Sequence, residues 1–162
     1  MARILGFAAL SLLAALPPAL GGSLKVYNSC SFKFWCSSAK NDGTSTATAE
    51  VLPGQWYTAE KQADNDNIGA VLKCSLNSYN GEPYQVELAV QNGKSWLDLS
   101  AVDGHPFLAY HRHAEIPGDK DVLISGVFKT QCVLDCPPGV TTCEWTTMES
   151  CESTADAIFT PC

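Results

Sequence analysis

The chain has 162 residues, eight cysteines and a formal net charge of −7, with 10 basic against 17 acidic side chains. Its lysines and arginines are scattered and form no run that could follow a phosphate backbone, so nucleic acid is not an expected partner. The acidic balance would also repel anionic membranes and polyanions, while neutral polymers and cationic surfaces stay open.

In chain order, the first segment is "MARILGFAALSLLAALPPALGG", residues 1–22. One basic residue, Arg3, precedes an apolar run that ends at Pro17-Pro18 and small residues, the pattern of a secretory signal peptide cleaved near Gly21 or Gly22. Its removal takes the charge from −7 to −8, since Arg3 carries the only charge lost. Nothing later is long and apolar enough to span a bilayer. A secreted, extracellular, soluble monomer without a lipid anchor is therefore expected.

The body reads as short strands broken by turns. "LKVYN" (24–28) and "FKFWC" (32–36) alternate, and "AEVL" (49–52) and "QWYTA" (55–59) flank a Pro53-Gly54 turn. "GAVLKCS" (69–75) is the next candidate. Two alternating runs around Asn92-Gly93 follow, the strongest local signal for a hairpin. "PFLAYHRH" (106–113) and "DVLISGVF" (121–128), separated by the turn-like "EIPGDK", complete the set. No helical period persists, which predicts an all-β fold, an antiparallel β-sandwich, as a single domain over 23–162. From 129 to 162 alternation fades and Cys, Thr and Pro dominate, so this tail is expected to be a loop-like segment stapled onto the sandwich.

All eight cysteines follow the signal segment: Cys30, Cys36, Cys74, Cys132, Cys136, Cys143, Cys151 and Cys162. An even number in a secreted chain reads as four disulfides. Three lie before residue 75 and five after residue 131. Both counts are odd, so full pairing needs at least one bridge between the groups. Zinc through cysteine is disfavoured, because Cys132 and Cys136 have no second close pair at finger-like spacing.

A two-residue turn at Asn92-Gly93 sets Glu87 directly opposite Asp98. Val86, Leu88, Val90, Leu97 and Leu99 then share the core face, and Glu87, Ala89, Trp96 and Asp98 share the solvent face. Like charges opposite one another normally destabilise a sheet. Mutual repulsion would raise one pKa unless Lys73 or a metal sat between them. Carboxylates beside an exposed indole suit sugar, since carboxylates accept hydroxyl hydrogen bonds and the ring stacks on a pyranose. The ordinary alternative is a solvated hairpin face, or a longer turn that shifts the register and separates the pair.

Three stretches carry a family resemblance. "LKVYNSCSFKFW" (24–35), "VLPGQWYT" (51–58) and above all "WLDLSAVDGHPF" (96–107) resemble the thaumatin-like proteins, over well more than half of the mature chain. Trp56 is one place out of register, and the stretch before Pro106 is shorter than in the large plant members. The short chain looks most like the small fungal antigenic, yeast-phase-specific thaumatin-like secreted proteins. This resemblance implies a β-sandwich and a bridge from Cys30 to Cys162. It also implies a partial acidic cleft of Glu87, Asp98 and Asp103 for cell-wall β-1,3-glucan, with Trp96 beside it. Lys73 lies near the place of the family's cleft arginine, without a clean match.

Other constellations are weaker. His111 and His113, at i and i+2, would share a strand face and are weak candidates for a copper-like ion; no metal or other cofactor is expected. His113 and Glu115 equally suit a surface pair. "DNDN" (64–67) has no complete calcium-loop pattern, and no Gly-x-Ser-x-Gly elbow occurs. "GTSTATA" (43–49) is either a polar loop or a site for O-linked sugar. Binding is favoured over catalysis, and no catalytic residue is assigned. A secreted antigen or effector that binds a host protein through the tail is the first alternative, and a weak endo-β-1,3-glucanase the second.

Overall fold

The computed structural model describes residues 22–64, 68–79, 81–118, 132–151 and 155–162. Eleven strands occur among them: β1 Leu24–Tyr27, β2 Phe34–Lys40, β3 Ala49–Val51, β4 Trp56–Thr58, β5 Ala70–Ser75, β6 Tyr84–Gln91, β7 Lys94–Ser100, β8 Arg112–Ile116, β9 Cys132–Cys136, β10 Met148–Cys151 and β11 Ala157–Pro161. They form a five-stranded sheet, β4-β1-β11-β8-β9, and a six-stranded sheet, β10-β7-β6-β5-β2-β3. All neighbours run antiparallel except β1 and β11. The fold is the expected all-β sandwich of two mainly antiparallel sheets. Among the described residues no helix is long and apolar enough to cross a membrane.

Period-2 patterning explains which face turns inward. In β1, Leu24 and Val26 are fully buried while Lys25 and Tyr27 are not. In β6 and β7, Val86, Leu88, Val90, Leu97 and Leu99 are all buried, as the hairpin pattern requires. Between the sheets, Phe34, Tyr84, Phe107 and Phe159 pack as an aromatic cluster. Phe34 meets Phe107 edge-on at 5.4 Å and Tyr84 stacks on Phe159 at 5.8 Å.

Polar groups fix the corner after β1. Buried Asn28 donates through Nδ2 to the carbonyls of Phe32 and Val51, and its Oδ1 accepts from the Cys30 N–H. Its backbone closes the Pro53-Gly54 turn, where Gly54 has a φ of 76°.

Two segments differ from the expectation. The 129–162 tail supplies β9, β10 and β11, and β11 lies at the centre of the five-stranded sheet. Its alternation is present but short and hidden among Cys, Thr and Pro: Cys132, Leu134 and Cys136 point inward, as do Ala157, Phe159 and Pro161. "PFLAYHRH" is a strand only from Arg112 onward. Before it the chain turns, with Leu108 N–H bonded to His105 O and Tyr110 N–H to Phe107 O. The stretch 121–128, read as a strand, and residues 1–21 of the signal segment lie outside the described residues.

The disulfides are Cys30–Cys162, Cys36–Cys74, Cys132–Cys151 and Cys136–Cys143. The first joins the two cysteine groups and fastens the last residue to the corner after β1. Cys36–Cys74 lies across the β2–β5 pair, and Cys132–Cys151 links one sheet to the other.

Candidate functional site

Asn92 and Gly93 adopt φ values of 53° and 76°, positive at both central positions as a type I′ turn requires. The turn is therefore two residues long, and Glu87 pairs with Asp98 and Ala89 with Trp96. Their outward side chains line a cleft of about 520 Å³ on the outer face of the six-stranded sheet. Lys40, Val71, Lys73 and Gln85 contribute from β2, β5 and β6, and Trp145 and Met148 from the tail.

The carboxylates are not both solvated. Asp98, expected on an open face, is only 3% exposed. β10 pairs along β7 with Met148 directly opposite Asp98, and Trp145 and Met148 wall that side of the cleft. Trp96, expected to be exposed, is half-buried for the same reason. Asp98 Oδ1 has no hydrogen-bond partner among the described residues. Burial, and then the Glu87 charge, raise the Asp98 pKa from 3.8 to about 7. Glu87 is also shifted upward, first by burial; Lys73 opposes that shift and Asp103 adds to it.

The nearby lysines are each engaged by another carboxylate. Lys73 Nζ donates to Asp103 Oδ2 at 2.9 Å, so it lies toward one end of the face and does not bridge Glu87 and Asp98. Asp103 thus stands beside the cleft as the partner of Lys73. Lys40 is held by Asp64. Asp64 belongs to "DNDN", of which residues 65–67 lie outside the described residues.

At neutral pH such a floor offers both hydrogen-bond polarities. Asp98 donates through its hydroxyl in its protonated form, and carboxylate oxygens of the pair accept. A hydroxyl-rich neutral molecule can satisfy both, and Trp96 and Trp145 line the same cleft with apolar ring surface to offer.

Asp103-Gly104 has its own structural role. A Cβ on Gly104 would lie 2.0 Å from the carbonyl oxygen of Glu82, so only glycine lets these backbones meet just ahead of β6.

The histidines form a separate surface group. His111 Nε2 and His113 Nδ1 lie 2.8 and 3.0 Å from Asp135 Oδ1, and His113 Nε2 lies 3.6 Å from Glu115. The His113 hydrogen bond, helped by His111, holds the Asp135 pKa below its ordinary value against the opposing effect of burial. Among the described residues no group of three or more His, Cys, Asp or Glu side chains is arranged to hold a metal ion.

Behind the cleft lies a buried polar hub that the sequence reading did not single out. Arg112 is fully buried and Glu144 is 5% exposed. Glu144 Oε1 accepts from Tyr84 Oη at 2.8 Å and Arg112 Nε at 3.1 Å, and its Oε2 lies 2.8 Å from His105 Nε2. The guanidinium also donates to the carbonyls of Phe107, Leu108, Tyr110, Pro137 and Val140. Those bonds hold the chain before β8 in a turn. Burial, then Glu144, push the Tyr84 hydroxyl pKa upward. The alternation in His111-Arg112-His113 carried a signal for this hub: exposed histidines at i and i+2 turn the residue between them inward.

A family model described as "Bys1: Blastomyces yeast-phase-specific protein" matches residues 10–162. No curated protein matches the chain in sequence. Among solved structures, the chain is similar to the protein elicitor MoHrip2 from Magnaporthe oryzae, with a TM-score of 0.70 and 17% identity over 87% of this chain and 98% of that one. It is also similar to the thaumatin-like xylanase inhibitor TLXI, with a TM-score of 0.58 and 12% identity over 86% of this chain and 98% of that one. At these identities the likeness is one of fold.

Proposed function

The chain belongs to the Blastomyces yeast-phase-specific protein family, and from that premise we propose that it is a secreted protein that binds a cell-wall polysaccharide in the cleft over Glu87 and Asp98. The observation that carries this reading is the buried Asp98 carboxyl, unpartnered at Oδ1 and set against Glu87. Asp98 is buried with a free acceptor oxygen, Glu87 stands beside it, and both adjacent lysines are engaged by other carboxylates. A buried polar group without a partner is costly, and such costs concentrate where a ligand supplies the missing hydrogen bond. Four disulfides support secretion, since such bonds persist in oxidising compartments.

The proposed ligand is β-1,3-glucan, on the strength of the thaumatin-like resemblance in residues 96–107. Binding without hydrolysis is the favoured mode, because two carboxyls facing each other across a hairpin do not by their spacing alone make a glycosidase. The structural likeness to an elicitor favours a second reading, a secreted effector that engages a host protein through the 132–162 region.

The test is retention of the secreted protein on insoluble β-1,3-glucan, chitin and cellulose, with soluble reducing sugar assayed. Wild type should be retained on the glucan and release no sugar, and the Glu87→Gln/Asp98→Asn double variant should pass through. Release of sugar would make the cleft an active site. Failure of wild type to bind any of the three polymers would overturn the polysaccharide reading and turn attention to host proteins.

A further inference from the structure

Trp145 is 58% exposed, an open position for a side chain that gains so much from burial. Its backbone is nonetheless firmly held. The Trp145 N–H donates to Leu99 O of β7 at 2.7 Å. Glu144, immediately before it, is the buried acceptor for Arg112, Tyr84 and His105. Cys143 is bridged to Cys136, and the Thr147 hydroxyl donates to Thr142 O at 2.9 Å. An exposed aromatic on a fixed backbone loses little conformational freedom when it binds, which is the economy of a preorganised contact. Met148, 45% exposed, lies beside it on the same side of the cleft.

Resting on the cleft reading above, we infer that Trp145, supported by Met148, is the stacking wall that selects pyranose rings in this cleft. The Asp98 and Glu87 carboxyls hydrogen-bond the ring's hydroxyls from the floor while the indole covers one of its faces. A flat apolar wall above a hydroxyl-binding floor matches a sugar ring, which has both kinds of surface. The tail thereby contributes specificity to a site whose carboxyls come from the β6–β7 hairpin.

Trp56 supplies an internal control. It is 57% exposed, nearly the same as Trp145, but lies on β4 at the edge of the other sheet, 5.0 Å from the ring of Tyr27.

The probe is a β-1,3-linked glucose hexamer, titrated into the secreted wild-type chain and into Trp145→Ala, Trp145→Phe and Trp56→Ala. Trp145→Ala should weaken binding about tenfold, the equivalent of ~1.4 kcal/mol. Trp145→Phe should stay within about threefold of wild type, and Trp56→Ala should be unchanged. In wild type, the Trp145 indole N–H resonance should shift on titration while that of Trp56 stays fixed, a readout that needs no variant to fold. Unweakened binding by Trp145→Ala, with binding lost in Glu87→Gln/Asp98→Asn, would overturn the wall and leave the cleft reading standing. An equal loss in Trp56→Ala would move the sugar to the other sheet and also overturn the wall. No binding by wild type would overturn both readings.

Discussion

At Asp98 the burial that shapes the cleft also sets a dependence of stability on pH. Its pKa is raised from 3.8 to about 7 in the folded chain, so between those values the folded state keeps a proton that the unfolded state gives up. Stability conferred by the neutral acid is complete below about pH 4 and is lost as pH rises through about 7. The difference corresponds to at most about 4 kcal/mol. Asparagine carries no charge at any pH, so Asp98→Asn should raise the melting temperature at pH 8 and leave it nearly unchanged at pH 4. Thermal melts at both values check this, and a gain larger at pH 4 than at pH 8 would contradict it. The opposed carboxylates were legible in the sequence because Asn92-Gly93 fixes the register from two residues. Their burial was not, because the groups that cover Asp98 come from Trp145 and Met148, some fifty positions further along.

The elements that position the site rest on a few backbone contacts that side-chain patterning does not reveal. The glycine at position 104 is required by the approach of Glu82, whose carbonyl oxygen would lie 2.0 Å from an added Cβ. Gly104→Ala should therefore displace the chain entering β6 and lower stability by about 2 kcal/mol or more, within the range for steric strain at a packed site. Urea denaturation measures it; an unchanged midpoint would show that the two segments separate freely. The strands β1 and β5–β7 were readable because each shows several clean alternations. β9, β10 and β11 were not, since their inward positions are filled largely by cysteine, alanine and proline within a Cys- and Thr-rich stretch. Arg112 misled the reading of 106–111 in a different way: by gathering the carbonyls of Phe107, Leu108 and Tyr110, it makes a turn where the apolar pattern suggested a strand.

For the molecule as a whole, the end of the chain is a structural centre. β11 lies between β1 and β8, and Cys162, the last residue, is bridged to Cys30 across a sequence separation of 132. Parity of the cysteines required a bridge between the two ends of the chain, and the family resemblance supplied which one; spacing alone could not. Closing so long a loop restricts the unfolded chain by about 5 kcal/mol in the chain-entropy account. Replacing both Cys30 and Cys162 with serine should cost most of that in urea denaturation, and a variant as stable as wild type would contradict it. The same framework fixes the tail against β7 and so builds the cleft over the carboxyl pair. The most direct test of that cleft is the NMR titration of the Asp98 side-chain carboxyl carbon against pH, with and without the β-1,3-linked glucose hexamer. The account predicts a midpoint near 7 in the free protein, displaced when the sugar is added. A midpoint near 4 that ignores the sugar would contradict both the buried acid and its role in recognition.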